Sequence, residues 1–371
     1  MPLQKTTPPP LASWCLFGRD DVPLRLLSSA VTEIILLPPF PLFLFRQAMV
    51  LSLPSPNQKW AHSVCSHVDL KQALKNEHIT SIETDILIGT HEHPIPDTAD
   101  EVESTTRTSS LTNNEVADIN GEVTHVENVA IMCHPPERKS CLSAEEFLEY
   151  ILNAPKVVHM KLDFKEIEAV KPTLMSLVEK WPGSSSSLDQ GCVYLNADVL
   201  PGPGKSKAGM DPDLFLQTCT DVISAKQELK DVSFYSLGWA VDCRAYGCYT
   251  DGNVDAMVDL IRRHELEDSG EQIFSLFLLY LLHISNGFHD SYKFHDPLLG
   301  IVLAVNARVL VKNCAPFDKF LSDFPSSQIL VWTGSGEPPI SKGKIDAIKN
   351  HFQLKDTDDR IGFDCSVRIF N

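Results

Sequence analysis

Four short stretches of this sequence place polar residues at alternate positions within otherwise apolar runs. In Ser81-Ile82-Glu83-Thr84-Asp85-Ile86-Leu87, Glu83 and Asp85 lie two apart. In Met160–Lys165, Lys161, Asp163 and Lys165 alternate with Leu162 and Phe164, and in Leu195–Val199 the polar pair is Asn196 and Asp198. Trp60 and His62 flank Ala61. Side chains two apart on a strand share a face, so each stretch reads as a strand with one polar face. An unpaired buried carboxylate is costly, so inward polar groups on four strands demand mutual compensation. Glu83, Asp85 and Asp163 would give three hard oxygen ligands, a set suited to Mg²⁺ or Ca²⁺. A salt-bridge network with Lys161 and Lys165, or polar residues at exposed strand ends, would satisfy the same pattern without a metal.

The sequence holds thirteen histidines. His62 ends the first of these strands, and His134 follows the apolar run Val129–Met132 and precedes Pro135-Pro136, which forces extended chain there. Two histidines at strand ends beside a metal would serve as general acid and general base. For each one taken alone the competing reading is a hydrogen-bonded structural histidine.

The elements that must carry these groups alternate along the chain. Strands are expected near 60–65, 81–88, 157–164, 191–199, 232–239, 301–306, 328–332 and 361–367. Helices are expected over 68–76, 143–153, 165–180, 211–228, 253–264, 314–323 and 342–352. Alternation at this pace implies a parallel sheet with right-handed crossovers. Eight strands suit an α/β closed barrel of the (β/α)8 TIM type better than an open sheet. The expected organisation is an N-terminal extension over 1–58 and a barrel domain over 59–371 with two insertions. The first, 89–128, carries nine acidic residues against one basic and reads as a flexible surface loop. The second, 265–298, contains the apolar run Leu276–Leu282, which reads as a buried or docking helix. Residues 24–53 are rich in Leu, Ile and Phe, but Pro38, Pro39 and Pro41 break the run. No clear membrane span or export signal is expected from it.

Composition narrows the partners. A net charge of -17 argues against a chain built to cover nucleic acid. An anionic substrate remains compatible, because a bound divalent cation supplies local positive charge. The ten cysteines include no CxxC pair, which leaves out zinc-ribbon and thioredoxin-type motifs. Cys243 and Cys248 flank a turn and would form a local disulfide in an oxidising compartment.

The ordered series Ala61-His62-Ser63-Val64, Ile82–Ile86, Ile131–Pro136, Lys161–Lys165, Leu195–Pro203 and Ser236–Trp239 resembles the menorin family. That family is in turn similar to the glycerophosphodiester phosphodiesterase and phospholipase D-toxin group of PLC-like (β/α) barrels. The resemblance implies that His62 and His134 are the acid/base pair, and that Glu83, Asp85 and Asp163 are the metal ligands. It further implies that Lys165 contacts phosphate and that Trp239 lines the pocket. Lys161, Asn196 and Asp198 would bind substrate beside them. Menorin relatives usually carry Asn where this chain has Cys65. Two functions follow as expectations. One is hydrolysis or intramolecular transfer at a phosphodiester small molecule or lipid headgroup. The other is a non-catalytic secreted or surface protein that meets protein partners and keeps a vestigial site. The resemblance favours the extracellular space, while the missing export signal leaves the cytoplasm open.

Overall fold

A computed structural model of the chain describes residues 58–92, 115–116, 125–182, 191–242, 247–266, 300–334, 337–354, 360–365 and 367–368. The expectations for 1–57, most of the acidic stretch, Leu276–Leu282 and Cys243 fall outside these residues. Cys248 is a free thiol. Among the described residues no helix is long and apolar enough to cross a membrane.

Eight parallel strands form the frame: β1 (Trp60–Ala61), β2 (Ser81–Glu92), β6 (His159–Phe164), β7 (Val193–Pro201), β8 (Ser233–Ala240), β9 (Ile301–Asn306), β10 (Gln328–Trp332) and β12 (Ile361–Asp364). They pair in the order β1-β2-β6-β7-β8-β9-β10-β12. These are the eight expected strands, and they make a nearly closed, barrel-like mixed α/β fold. Among the described residues β1 and β12 share no strand pairing. The remaining strands are short or lie outside this frame: β3 (Glu115–Val116), β4 (His125–Met132), β5 (Lys139–Ser140), β11 (Ile340–Ser341) and β13 (Val367–Arg368).

Two features depart from the sequence expectation. Strand β2 runs on to Glu92, beyond the expected 88, and its outer half pairs antiparallel with β4 and parallel with β5. The helix expected over 211–228 divides into α4 (Pro212–Ile223) and α5 (Gln227–Lys230). Ahead of them come α1 (His67–Lys75), α2 (Ala144–Leu152) and α3 (Ile167–Lys180); after them come α6 (Asp251–Arg263), α7 (Ala307–Leu310), α8 (Pro316–Asp323) and α9 (Lys342–Gln353). Several starts are written locally. Ser143 and Thr250 form capping boxes with Glu146 and Asn253 ahead of α2 and α6, each satisfying otherwise orphaned helix N–H groups.

Strand alternation sorts the side chains into two layers. Ile82 and Ile86 of β2, Leu162 of β6, Leu195 of β7 and Leu237 of β8 face outward and join one large core with the helices. Facing inward, Trp60, Tyr194, Phe234, Val302 and Leu330 make a separate apolar cluster that forms the floor of the barrel. Tyr194 stacks on Phe234 at 5.7 Å and meets Trp60 edge-on at 5.6 Å. Such ring pairs contribute roughly 0.5–1.5 kcal/mol each beyond the area they bury.

Candidate cation site at the C-terminal end of the barrel

Two residues further along the same strands the interior changes character. Asp85, Asp163, Asn196 and Ser236 stand in register across β2, β6, β7 and β8, with Glu83 and Lys161 paired one row below. This is the end of a (β/α) barrel at which loops and strand tips assemble sites. Ligand oxygens of Glu83, Asp85 and Asp163 all lie within 4.8 Å of one another. Glu83 and Asp85 are buried, and Asp163 keeps 14% of its side chain exposed.

Each carboxylate has protein partners. Ser63, held at φ +55° in the left-handed region, donates its backbone N–H to Glu83 Oε2 at 2.6 Å and its hydroxyl to Asp85 Oδ2 at 3.2 Å. A non-glycine residue there carries strain that surrounding contacts must hold. Lys165 Nζ bridges Asp85 Oδ1 at 2.7 Å and Asp163 Oδ2 at 2.8 Å. Asn196 donates to Asp163 Oδ1 at 2.7 Å and accepts from Ser236 Oγ at 2.6 Å. His62 Nδ1 lies 2.9 Å from Asp364 Oδ2 and 3.2 Å from Glu83 Oε2.

The charges are unbalanced. Among the described residues, Glu83, Asp85, Asp163, Asp198 and Asp364 are met by three basic groups, His62, Lys161 and Lys165. Burial pushes Glu83 up to about 7, against the pull of Lys161 and His62. Burial and the neighbouring Asp163 raise Asp198 to about 6. Asp163 is held below the usual carboxylate range because Lys165 and Lys161 outweigh the cost of its burial. Burial opposes a charge on His62, yet its bond to Asp364 and the nearness of Glu83 lift it to about 9. Lys161, 2% exposed, makes no hydrogen bond or ion pair among the described residues, and Glu83, Asp163 and Asp364 keep it charged. Clustered hard oxygens with a surplus of negative charge fit a divalent cation, and the buried triad is able to hold one.

Of the residues expected in the site, His62, Glu83, Asp85, Lys161, Asp163, Lys165, Asn196 and Asp198 are brought together. Asn196 is spent on orienting Asp163, and Lys165 on the two aspartates. His134 is a correction. It is exposed, its Nδ1–H donates to the Pro135 carbonyl at 2.6 Å, and it touches none of the three carboxylates. The antiparallel β4 carries it to the rim. Trp239 is a second correction. It shares the outward face of Leu237, donates Nε1–H to the Asn253 carbonyl and packs on Tyr249 and Phe317 between sheet and helices. By alternation Trp332, in register with Asp364, shares the inward face of Leu330. Three contributors were missed: Ser63, Asp364 and Trp332. An alternating read of 361–367 would have placed Asp364 on the face of Gly362, but nothing local pairs it with His62.

The fold and this acidic centre define a barrel-like α/β protein with an acidic triad able to hold a metal ion. A sequence model of the menorin N-terminal domain matches residues 98–357, well over half the chain, and the chain belongs to the menorin family. It is similar to the human protein FAM151B, 38% identical over 109 residues. That match covers 29% of this chain and 34% of the human protein, so the chain spans about a third of the relative it matches. The family match contains Asp163, Lys165, Asn196 and Asp198; His62, Glu83 and Asp85 precede it and Asp364 follows it.

Proposed function

We propose that this protein is a metal-dependent phosphodiesterase-type member of its family, of PLC-like barrel architecture, acting on a glycerophosphodiester or lysophospholipid-type substrate. The observation that carries this is the convergence of Glu83, Asp85 and Asp163 beside two lysines and an aspartate-held histidine. Mg²⁺ or Ca²⁺ held by the three carboxylates supplies charge neutralisation at phosphoryl oxygens. Lys161, charged and without an acceptor among the described residues, binds an oxygen of the phosphate. Asp364 and Glu83 fix the His62 ring through Nδ1, which leaves Nε2 to pass a proton to the leaving oxygen. With His134 on the rim, the attacking water or substrate hydroxyl gives up its proton to bulk solvent, and the charged His62 is the acid that protonates the leaving oxygen and is then recharged from solvent.

The test has two parts. Mg²⁺ or Ca²⁺ is expected to raise the melting temperature of the wild type but not of Glu83→Ala. Turnover of glycerophosphodiesters or lysophospholipids is expected to vanish in His62→Ala; equal rates in both proteins end the enzymatic reading.

A second reading has its own observation. Lys165 already bridges Asp85 and Asp163, which suits a metal-free scaffold whose role is to bind partners at a cell surface. In that case neither metal changes the melting temperature of any variant.

A further inference from the structure

Lys165 and a divalent cation want the same two carboxylates. Its ammonium stands 2.7 Å from Asp85 and 2.8 Å from Asp163. A cation bound to both would sit at roughly 2.1–2.6 Å from each oxygen, close against an ammonium of like charge. Like charges at that distance repel, so a cation that takes the triad would favour a position of Lys165 away from it.

The surroundings leave one destination. Glu83 is engaged by His62 and the Ser63 N–H, and Asp364 by His62. Glu166 is paired with Arg138 and accepts from the Ile88 N–H. Asp198, on the next strand and two residues above Asn196, is different. Its side chain makes no hydrogen bond or ion pair among the described residues, and it follows by two positions Asn196, which stands in register with the Asp163 that Lys165 now holds. Its backbone is tied, since its carbonyl accepts from the N–H groups of Gly209 and Met210. The facing position on β8 is Gly238, where an added Cβ would stand 2.6 Å from Asp198 Oδ1. A glycine there keeps the space around the carboxylate open.

We infer that Asp198 is a second berth for Lys165: the ammonium rests on Asp85 and Asp163 when the triad is empty, and moves to Asp198 when a cation is bound. Asp198 is thus a positioning residue rather than a ligand. The move brings Lys165 to the mouth of the barrel, where a phosphate bound beside the cation would meet it. This inference rests on the metal-binding reading above and adds to it a coupling between two residues.

Calorimetric titration with Mg²⁺ and Ca²⁺ of wild type, Asp198→Asn, Lys165→Met and the double variant tests it. Lys165→Met is expected to tighten binding about tenfold, and Asp198→Asn to weaken it about tenfold in the wild type but less than about twofold beside Lys165→Met, the non-additivity of groups that act together. Asp198→Glu is expected to restore most of the affinity. Circular dichroism of each protein checks that it is folded; if Lys165→Met is not, Lys165→Gln takes its place. An equal loss from Asp198→Asn in both backgrounds would overturn the coupling and leave the metal site standing. No binding by any of the four proteins would overturn the metal reading and the berth together.

Discussion

The floor of the barrel and the acidic layer meet on β7 and β8, where Tyr194 and Phe234 stand two residues before Asn196 and Ser236, and the two layers solve burial in opposite ways. In the floor, Tyr194, Phe234, Val302 and Leu330 fill the interior with carbon. In the layer above, Asp163, Asn196 and Ser236 continue the same faces with oxygen and nitrogen, and five carboxyl groups meet three basic ones. Packing completes the first region from within. The second still lacks positive charge, and evolution rarely leaves that lack inside a fold unless a ligand meets it. The lesson is that strand alternation fixes where a side chain goes, while the balance of charges separates the layer that packing completes from the layer in which a cation is proposed.

That contrast can be broken from either side. The largest effect is expected from Phe234→Ala in the floor, a loss of about 3–5 kcal/mol by denaturant unfolding, with the metal-induced rise in melting temperature unchanged. If the metal response disappears as well, the two regions are not separable. The next is pH. His62 is raised to about 9 in the folded chain, so its stabilisation is full below its unfolded value near 6.5 and is lost as pH rises through 9. Glu83, raised to about 7, acts in the same direction between its unfolded value and 7. Metal-free stability should therefore fall from mildly acidic pH to pH 9, by on the order of 2 kcal/mol for the His62 part. His62→Gln should flatten the upper part of that profile, and an unchanged slope would contradict it. Asp364→Asn should cost about 1.5 kcal/mol and bring the His62 titration, followed by NMR, back toward its ordinary range. Smallest is Trp239→Phe, expected to cost about 1 kcal/mol through the lost bond to Asn253 with no change in cation affinity. A changed affinity would put Trp239 back in the site.

Much of the acidic layer is legible in the sequence because period two is a strong signal where one face is polar. Glu83, Asp85, Asp163, Asn196 and Asp198 could be assigned to one face from spacing alone. The same rule, applied to Ser236-Leu237-Gly238-Trp239, puts Trp239 with Leu237 on the outer face; family likeness pointed the other way, and the alternation was right. His134 was out of reach because its place depends on β2 running past the barrel to pair with β4. Asp364 was illegible for a different reason. Its partner lies 302 positions earlier, and no local pattern encodes a pair at that separation.

That pair closes the barrel where the backbone does not. Among the described residues strand β1 has two residues and no ladder to β12, and the imidazole of His62 and the carboxylate of Asp364 link the first and last staves. Strands β6 to β10 pair neighbour to neighbour, whereas His62 has Glu83 on the adjacent β2 and gains its second carboxylate only when β12 joins the sheet. Cleavage of the chain before Asp364 is expected to take that partner from His62 while leaving the ladders from β2 to β10 in place.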